Sequence, residues 1–141
     1  MNRKTFALLF VVLAVFALGL VPAFAEDPAV KLMKKEGVGS YLTDAQGMTL
    51  YYFVKDTPGK SACAGECLQK WPAVKADAVA AMPGLEAKDF GSLVREDGRQ
   101  ATFRGYPLYY FFKDAKPGDT NGQGFNNVWF VIDPAKFPPT M

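Results

Sequence analysis

From Thr5 to Val21 the chain is apolar almost throughout and carries no charge. Beyond Glu26 the pattern changes to short stretches that read as strands. Met48, Leu50, Tyr52 and Val54 fall on one side of an extended segment, and Thr49, Tyr51, Phe53 and Lys55 on the other, because successive side chains of a strand point to opposite faces. Tyr, Phe, Val and Thr also favour strands. The pattern predicts a hairpin from 39–44 and 48–55, turning at Ala45-Gln46-Gly47. A second hairpin is predicted from Gly91–Arg95 and Gln100–Arg104 around Asp97-Gly98, a strong turn pair. Tyr106–Lys113 and Val128–Asp133 are further strands, and Ala64–Lys70 is a short helix. The expected fold is mainly β, a small antiparallel β domain of about six strands.

The pattern also repeats. Leu50-Tyr51-Tyr52-Phe53-Val54-Lys55-Asp56 returns as Leu108-Tyr109-Tyr110-Phe111-Phe112-Lys113-Asp114, 58 residues later. Trp71 returns as Trp129 at the same offset, Pro58-Gly59 has a counterpart in Pro117-Gly118, and Gly39-Ser40 is matched to Gly91-Ser92. Self-similarity of this kind marks a duplicated unit. The expected organisation is a signal peptide at 1–25, an N-terminal arm at 26–38, one domain at 39–133 built from repeats 39–74 and 91–133 with connection 75–90, and a tail at 134–141.

The apolar start reads as an export signal. Arg3 and Lys4 precede the apolar run, and Ala23-Phe24-Ala25 offers a small-x-small cleavage site before Glu26-Asp27, the order of a secretory leader. Cleavage is expected after Ala25, leaving no transmembrane segment. No Cys stands at that point, so no lipid anchor is expected. The precursor carries 16 Lys and Arg against 14 Asp and Glu. Arg3 and Lys4 leave with the signal, so the mature charge is zero. A neutral mixed surface has no electrostatic footprint for nucleic acid. The expected location is periplasmic or secreted.

His is absent. This removes the usual general base and metal ligand, and with them any Ser-His or Cys-His pair. No enzyme activity and no cofactor are expected. Cys63 and Cys67 are the only cysteines. At helical spacing their Cα atoms lie about 6 Å apart, within disulfide range, and an exported chain meets oxidising conditions. A disulfide is therefore expected. The alternative is a reversible thiol pair or a Cu(I) site, since thiolates suit Cu(I). Met48 or Met82 would then add a thioether, and Lys60 and Lys70 are candidate cations to lower a thiol pKa.

Two aromatic-Asp stretches, Tyr51-x-Phe53-x-x-Asp56 and Tyr109-x-Phe111-x-x-Asp114, each fit Yx(FWY)xxD. With Tyr41-Leu42-Thr43-Asp44, Cys63-x-x-x-Cys67, Trp71-Pro72, Pro117-Gly118-Asp119 and Gly122-x-Gly124, they make the chain resemble the bacterial secreted-repeat lipoproteins that carry this motif. The resemblance covers about 39–133 and implies a secreted or lipid-anchored protein, the missing lipid-attachment Cys arguing against the anchor here; the family's biochemical role is not established.

If Leu50, Tyr52, Val54, Leu108, Tyr110 and Phe112 face the core, then Tyr51, Phe53, Tyr109 and Phe111 face the other side. Two readings stay open: a strand buried on both faces, or an exposed platform of Tyr51, Phe53, Tyr109 and Phe111, with Trp71 and Trp129, that stacks a ligand. The paired Trp71 and Trp129 read more simply as duplicated core anchors. Asp56 and Asp114 are expected to accept backbone N–H bonds at strand exits. Asp119-Thr120-Asn121-Gly122 has the start of a calcium loop, but Phe130 stands where an acidic ligand is needed, so a Gly-rich turn is expected. The functional expectation is an exported, non-enzymatic binding or accessory domain acting on an unknown envelope ligand or protein. The alternative is a thiol-redox, electron-transfer or Cu(I) protein using Cys63 and Cys67.

Overall fold

A computed structural model describes residues 30–80 and 84–139, together with Gly19. Apart from Gly19, the expected export signal and its cleavage site lie outside the described residues, as does Met82. The fold is mainly β, with antiparallel strand pairs and one short helix. Strand β1 (Lys31–Lys35) pairs with β2 (Gly39–Thr43) from Lys31↔Thr43 to Lys35↔Gly39. The segment expected as an arm therefore supplies a strand. β1 is exposed along its whole length and carries Lys31, Lys34 and Lys35; lysines on an exposed strand disfavour pairing with other chains.

β3 (Tyr51–Phe53) follows a turn in which Asp44 N–H bonds the Met48 carbonyl and the Asp44 carboxylate accepts from Gln46 N–H and Met48 N–H. The predicted first hairpin exists as this turn and a single Thr43↔Thr49 bridge. Its ladder goes no further, because β3 pairs instead with β7 (Trp129–Val131). Helix α1 (Glu66–Lys70) sits inside the predicted helix. β4 (Phe90–Arg95) and β5 (Gly98–Phe103) form the second predicted hairpin, and β5 continues to a short β6 (Tyr106–Pro107). The strand predicted over 106–113 is cut short. Tyr109 is bridged by Tyr51 on one side and Ala73 on the other, and the chain turns at Phe112-Lys113.

Hydrogen bonding fixes which parts of the two units correspond. Leu42 N–H bonds the Ile132 carbonyl and Leu50 N–H the Leu42 carbonyl; likewise Ala101 N–H bonds the Val74 carbonyl and Leu108 N–H the Ala101 carbonyl. The β1–β2 hairpin is thus the counterpart of β4–β5. Gly39-Ser40 lies in β2 while Gly91-Ser92 lies in β4, so the sequence match of those two pairs does not hold. Gly98 is the counterpart of Gly39, and each opens a second hairpin strand at positive φ. A two-residue match of small side chains is too short to set register between hairpins with different turn lengths.

Two apolar clusters enclose the motif strands. Leu50, Tyr52 and Leu108 join Leu42, Val74, Phe103 and Ile132 in one. Tyr51, Tyr109 and Phe111 join Tyr41, Cys63, Trp71 and Trp129 in the other. The strands are therefore buried on both faces, as a sheet covered on each side requires. Val54 and Phe112, expected in the core, are 43% and 51% exposed. Each stands where its strand has already turned away from the core.

Candidate functional site: a reciprocal clasp and the groove beside it

The motif residues of one unit are completed by the other. Tyr51 Oη donates to Asp114 Oδ2 at 2.6 Å, and Tyr109 Oη donates to Asp56 Oδ2 at 2.6 Å. Each Asp turns its other oxygen to the backbone: Ala62 N–H to Asp56 at 2.6 Å, and Asn121 N–H to Asp114 at 2.9 Å. The two tyrosines also exchange backbone bonds, Tyr51 N–H to the Tyr109 carbonyl at 2.9 Å and the reverse at 3.0 Å. Each hydroxyl has a further neighbour, Ser61 Oγ at Tyr109 and Gly122 N–H at Tyr51. Among the described residues no buried side-chain N or O lacks a partner. Burial without such partners would cost several kcal/mol per charged group.

The face-to-face ring contacts follow the same exchange. Trp71 and Trp129 stack at 3.9 Å and 3°, Trp71 on Phe111 at 4.3 Å, and Trp129 on Phe53 at 4.3 Å. Tyr51 meets Trp71 edge-on at 5.5 Å and Tyr109 meets Trp129 edge-on at 5.0 Å. Gly122 is required here, since a Cβ would lie 2.8 Å from the Trp71 ring and 2.9 Å from the Tyr51 ring. The six aromatic residues expected as a stacking platform are thus brought together, but Tyr51, Tyr109, Trp71, Trp129 and Phe111 are buried and only Phe53 is half-exposed. Their faces are spent on one another, so no exposed platform forms.

A third Tyr–Asp pair, Tyr110 Oη donating to Asp44 Oδ2 at 2.8 Å, lies outside the fixed positions of both Yx(FWY)xxD motifs. Its only signal in the sequence was Asp44 in Tyr41-Leu42-Thr43-Asp44. Asp119 closes its own turn by accepting from Ala115 and Lys116 N–H; the Gly-rich segment that follows carries Asn121 and Gly122 to the clasp.

Burial raises the Asp56 and Asp114 carboxyl pKa values above the ordinary 3.8, although their hydrogen bonds pull the other way. Burial, then the bond to carboxylate, raises Tyr51 and Tyr109. A carboxyl with a raised folded pKa binds more protons folded than unfolded, so stability falls as pH rises from the unfolded value through the folded one. Asp97 and Asp119, held low by the Lys75 bond and by the Ala115 N–H respectively, lose stabilisation only below that window. The urea midpoint is therefore expected to rise as pH is lowered from 7 toward 4, and Asp56→Asn should flatten the rise. A midpoint that falls over this range in the wild type would contradict the assignment.

Cys63 and Cys67 form a disulfide, Cα to Cα 5.4 Å, with Cys63 buried against the aromatic stack. While bonded to each other the two sulfurs present no thiolate, so Cu(I) binding would need the reduced pair. The Cys63 carbonyl accepts from Arg95 Nη2 at 2.7 Å, while Arg95 Nη1 donates to Gln100 Oε1 at 2.9 Å. Between this segment and the tip of the β4–β5 hairpin runs an open groove of about 560 Å³, walled by Ser61, Ala64, Gly65 and Leu68 on one side and Leu93, Val94 and Arg95 on the other. Val94 is 75% exposed. Ser61 links the groove wall to the Tyr109–Asp56 bond. The closed loop is short, so reducing the disulfide is expected to cost about 2 kcal/mol. Urea melts with and without reductant measure this; no change would mean the bridge is energetically silent.

A family model described as a secreted repeat of unknown function matches residues 33–75 and 91–133. No curated protein and no solved structure matches the chain. The first matched segment begins inside β1, in keeping with β1–β2 being part of the unit. Among the described residues no helix is long and apolar enough to cross a membrane.

Proposed function

Because this chain belongs to that family of secreted repeats, which places it outside the cytoplasm, we propose that it acts in the cell envelope as a non-enzymatic binding or accessory domain whose contact site is the groove between the disulfide segment and the β4–β5 hairpin. The observation that supports this reading is the contrast between a consumed interior and an open groove. The motif carboxylates, tyrosines and indoles are engaged with one another. The groove instead offers apolar contact at Leu68, Leu93 and Val94 beside charged groups of both signs, Lys60 and Arg95 with Glu96 and Asp97. Ligand sites commonly combine an apolar wall with a few placed polar groups.

Amide-resolved NMR tests this directly. Soluble peptidoglycan fragments, a short-chain quinone and a short carboxylate-terminated peptide would each be titrated into the exported protein. Saturable shifts at Ser61, Gly65, Leu93 and Val94, abolished by Val94→Glu, support the groove. Shifts confined to other surfaces, or none with any probe, overturn it.

A second reading, thiol redox at Cys63–Cys67, is favoured by one observation. Ala64 and Gly65 of the loop closed by the disulfide wall the groove, so a bound thiol partner would lie close to it. A reduction potential below about −300 mV would mark the bridge as structural. A value well above that would move the proposal to redox exchange.

A further inference from the structure

The clasp makes each unit incomplete without its mate. β3 of the first unit finds its ladder only in β7 of the second, and Ala73 of the first bridges Tyr109 of the second. All three Tyr–Asp bonds and all three face-to-face ring contacts cross between units. The contacts are reciprocal: what the first unit gives through Tyr51, Phe53, Asp56 and Trp71, the second returns through Tyr109, Phe111, Asp114 and Trp129. Such a self-complementary surface is the kind that builds twofold dimers, and exchange of identical elements between copies needs no contact that the single chain lacks.

We infer that the motif face is a unit-to-unit pairing surface, and that its partner, besides the mate in the same chain, is the mate unit of a second copy of this chain. The occupant is fixed by complementarity. A free unit would expose stacked-ring faces, and its motif carboxylate would keep the N–H donor of its own unit but lose the tyrosine of the other. Two chains that exchange units would each rebuild the same clasp, with β3 of one chain against β7 of the other.

Two full-length experiments test this. Wild-type chains carrying two different tags are unfolded and refolded together at high concentration. The expected product includes a dimer that holds both tags, retains the native near-ultraviolet signal, and does not form when folded chains are simply mixed. Only monomers, or only non-native aggregate, would overturn the inference. In the second experiment Trp71→Asp and Trp129→Asp chains are refolded separately and together. Exchange puts an unaltered first unit from one chain against an unaltered second unit from the other. The mixture should then recover up to half the wild-type signal in a heterodimer. A mixture that equals the sum of its two parts counts against exchange.

Discussion

Trp71→Ala is expected to lower the unfolding free energy by about 3–5 kcal/mol, the usual cost of removing a large buried aromatic side chain. Domains of this kind are stable by only about 5–15 kcal/mol in total, so much of the population would unfold near the upper end of that cost. The reason lies in the neighbours. Trp71 is stacked on both faces, by Trp129 and Phe111, and met edge-on by Tyr51 and Phe125. Gly122 packs against its ring, and the disulfide segment closes the cluster. These walls are held by hydrogen bonds and a covalent bridge, so the space cannot collapse and a cavity remains. Phe53→Ala, at the half-exposed end of the same stack, should cost about 1 kcal/mol, because only part of its apolar surface returns to water. Urea denaturation gives both numbers. The circular-dichroism couplet of two parallel indoles at 3.9 Å should vanish with Trp71→Ala and persist with Phe53→Ala. Equal costs for the two variants would show that the stack is not the anchor.

The second large effect is expected at the clasp. Asp114→Ala leaves the buried Tyr51 hydroxyl without its acceptor, at a cost of about 1–3 kcal/mol, while the N–H of the exposed Asn121 can turn to water. Tyr51→Phe leaves a buried carboxylate with one fewer donor, for a similar cost. The double variant removes both ends of one bond, so its cost should fall short of the sum by about 1–2 kcal/mol, the range of directly interacting pairs. The control is Tyr51→Phe with Asp56→Ala, two residues of one motif that do not bond each other. That pair should add to within about 0.5 kcal/mol. If instead the same-motif pair is coupled and the cross-unit pair is additive, the clasp is misassigned.

What the amino-acid sequence determined by itself is local or periodic. Alternation in 48–55 and 106–113 marked extended chain, which the fold keeps only up to Phe53 and Phe111 before it turns, and Asp97-Gly98 marked the β4–β5 turn. The spacing of Cys63 and Cys67 allowed their bridge, and the offset of 58 revealed the duplication. These follow from nearest-neighbour chemistry, which is written along the chain. The sequence could not say that β3 turns from its hairpin partner to β7, because that pairing joins residues far apart and is selected by burial of both faces at once. It could not say that Tyr51 bonds Asp114 rather than its own motif's Asp56. Nor could it say that Phe53 stacks on Trp129 and Phe111 on Trp71. Both units carry the same residues, so pairing within a unit and pairing between units look alike in sequence; only the interlocked arrangement decides between them. The aromatic residues were legible as important, but their availability was not, since exposure depends on what the other unit places over them. The groove was invisible for the same reason: its two walls come from opposite units, and only the tertiary fold brings Leu68 near Leu93.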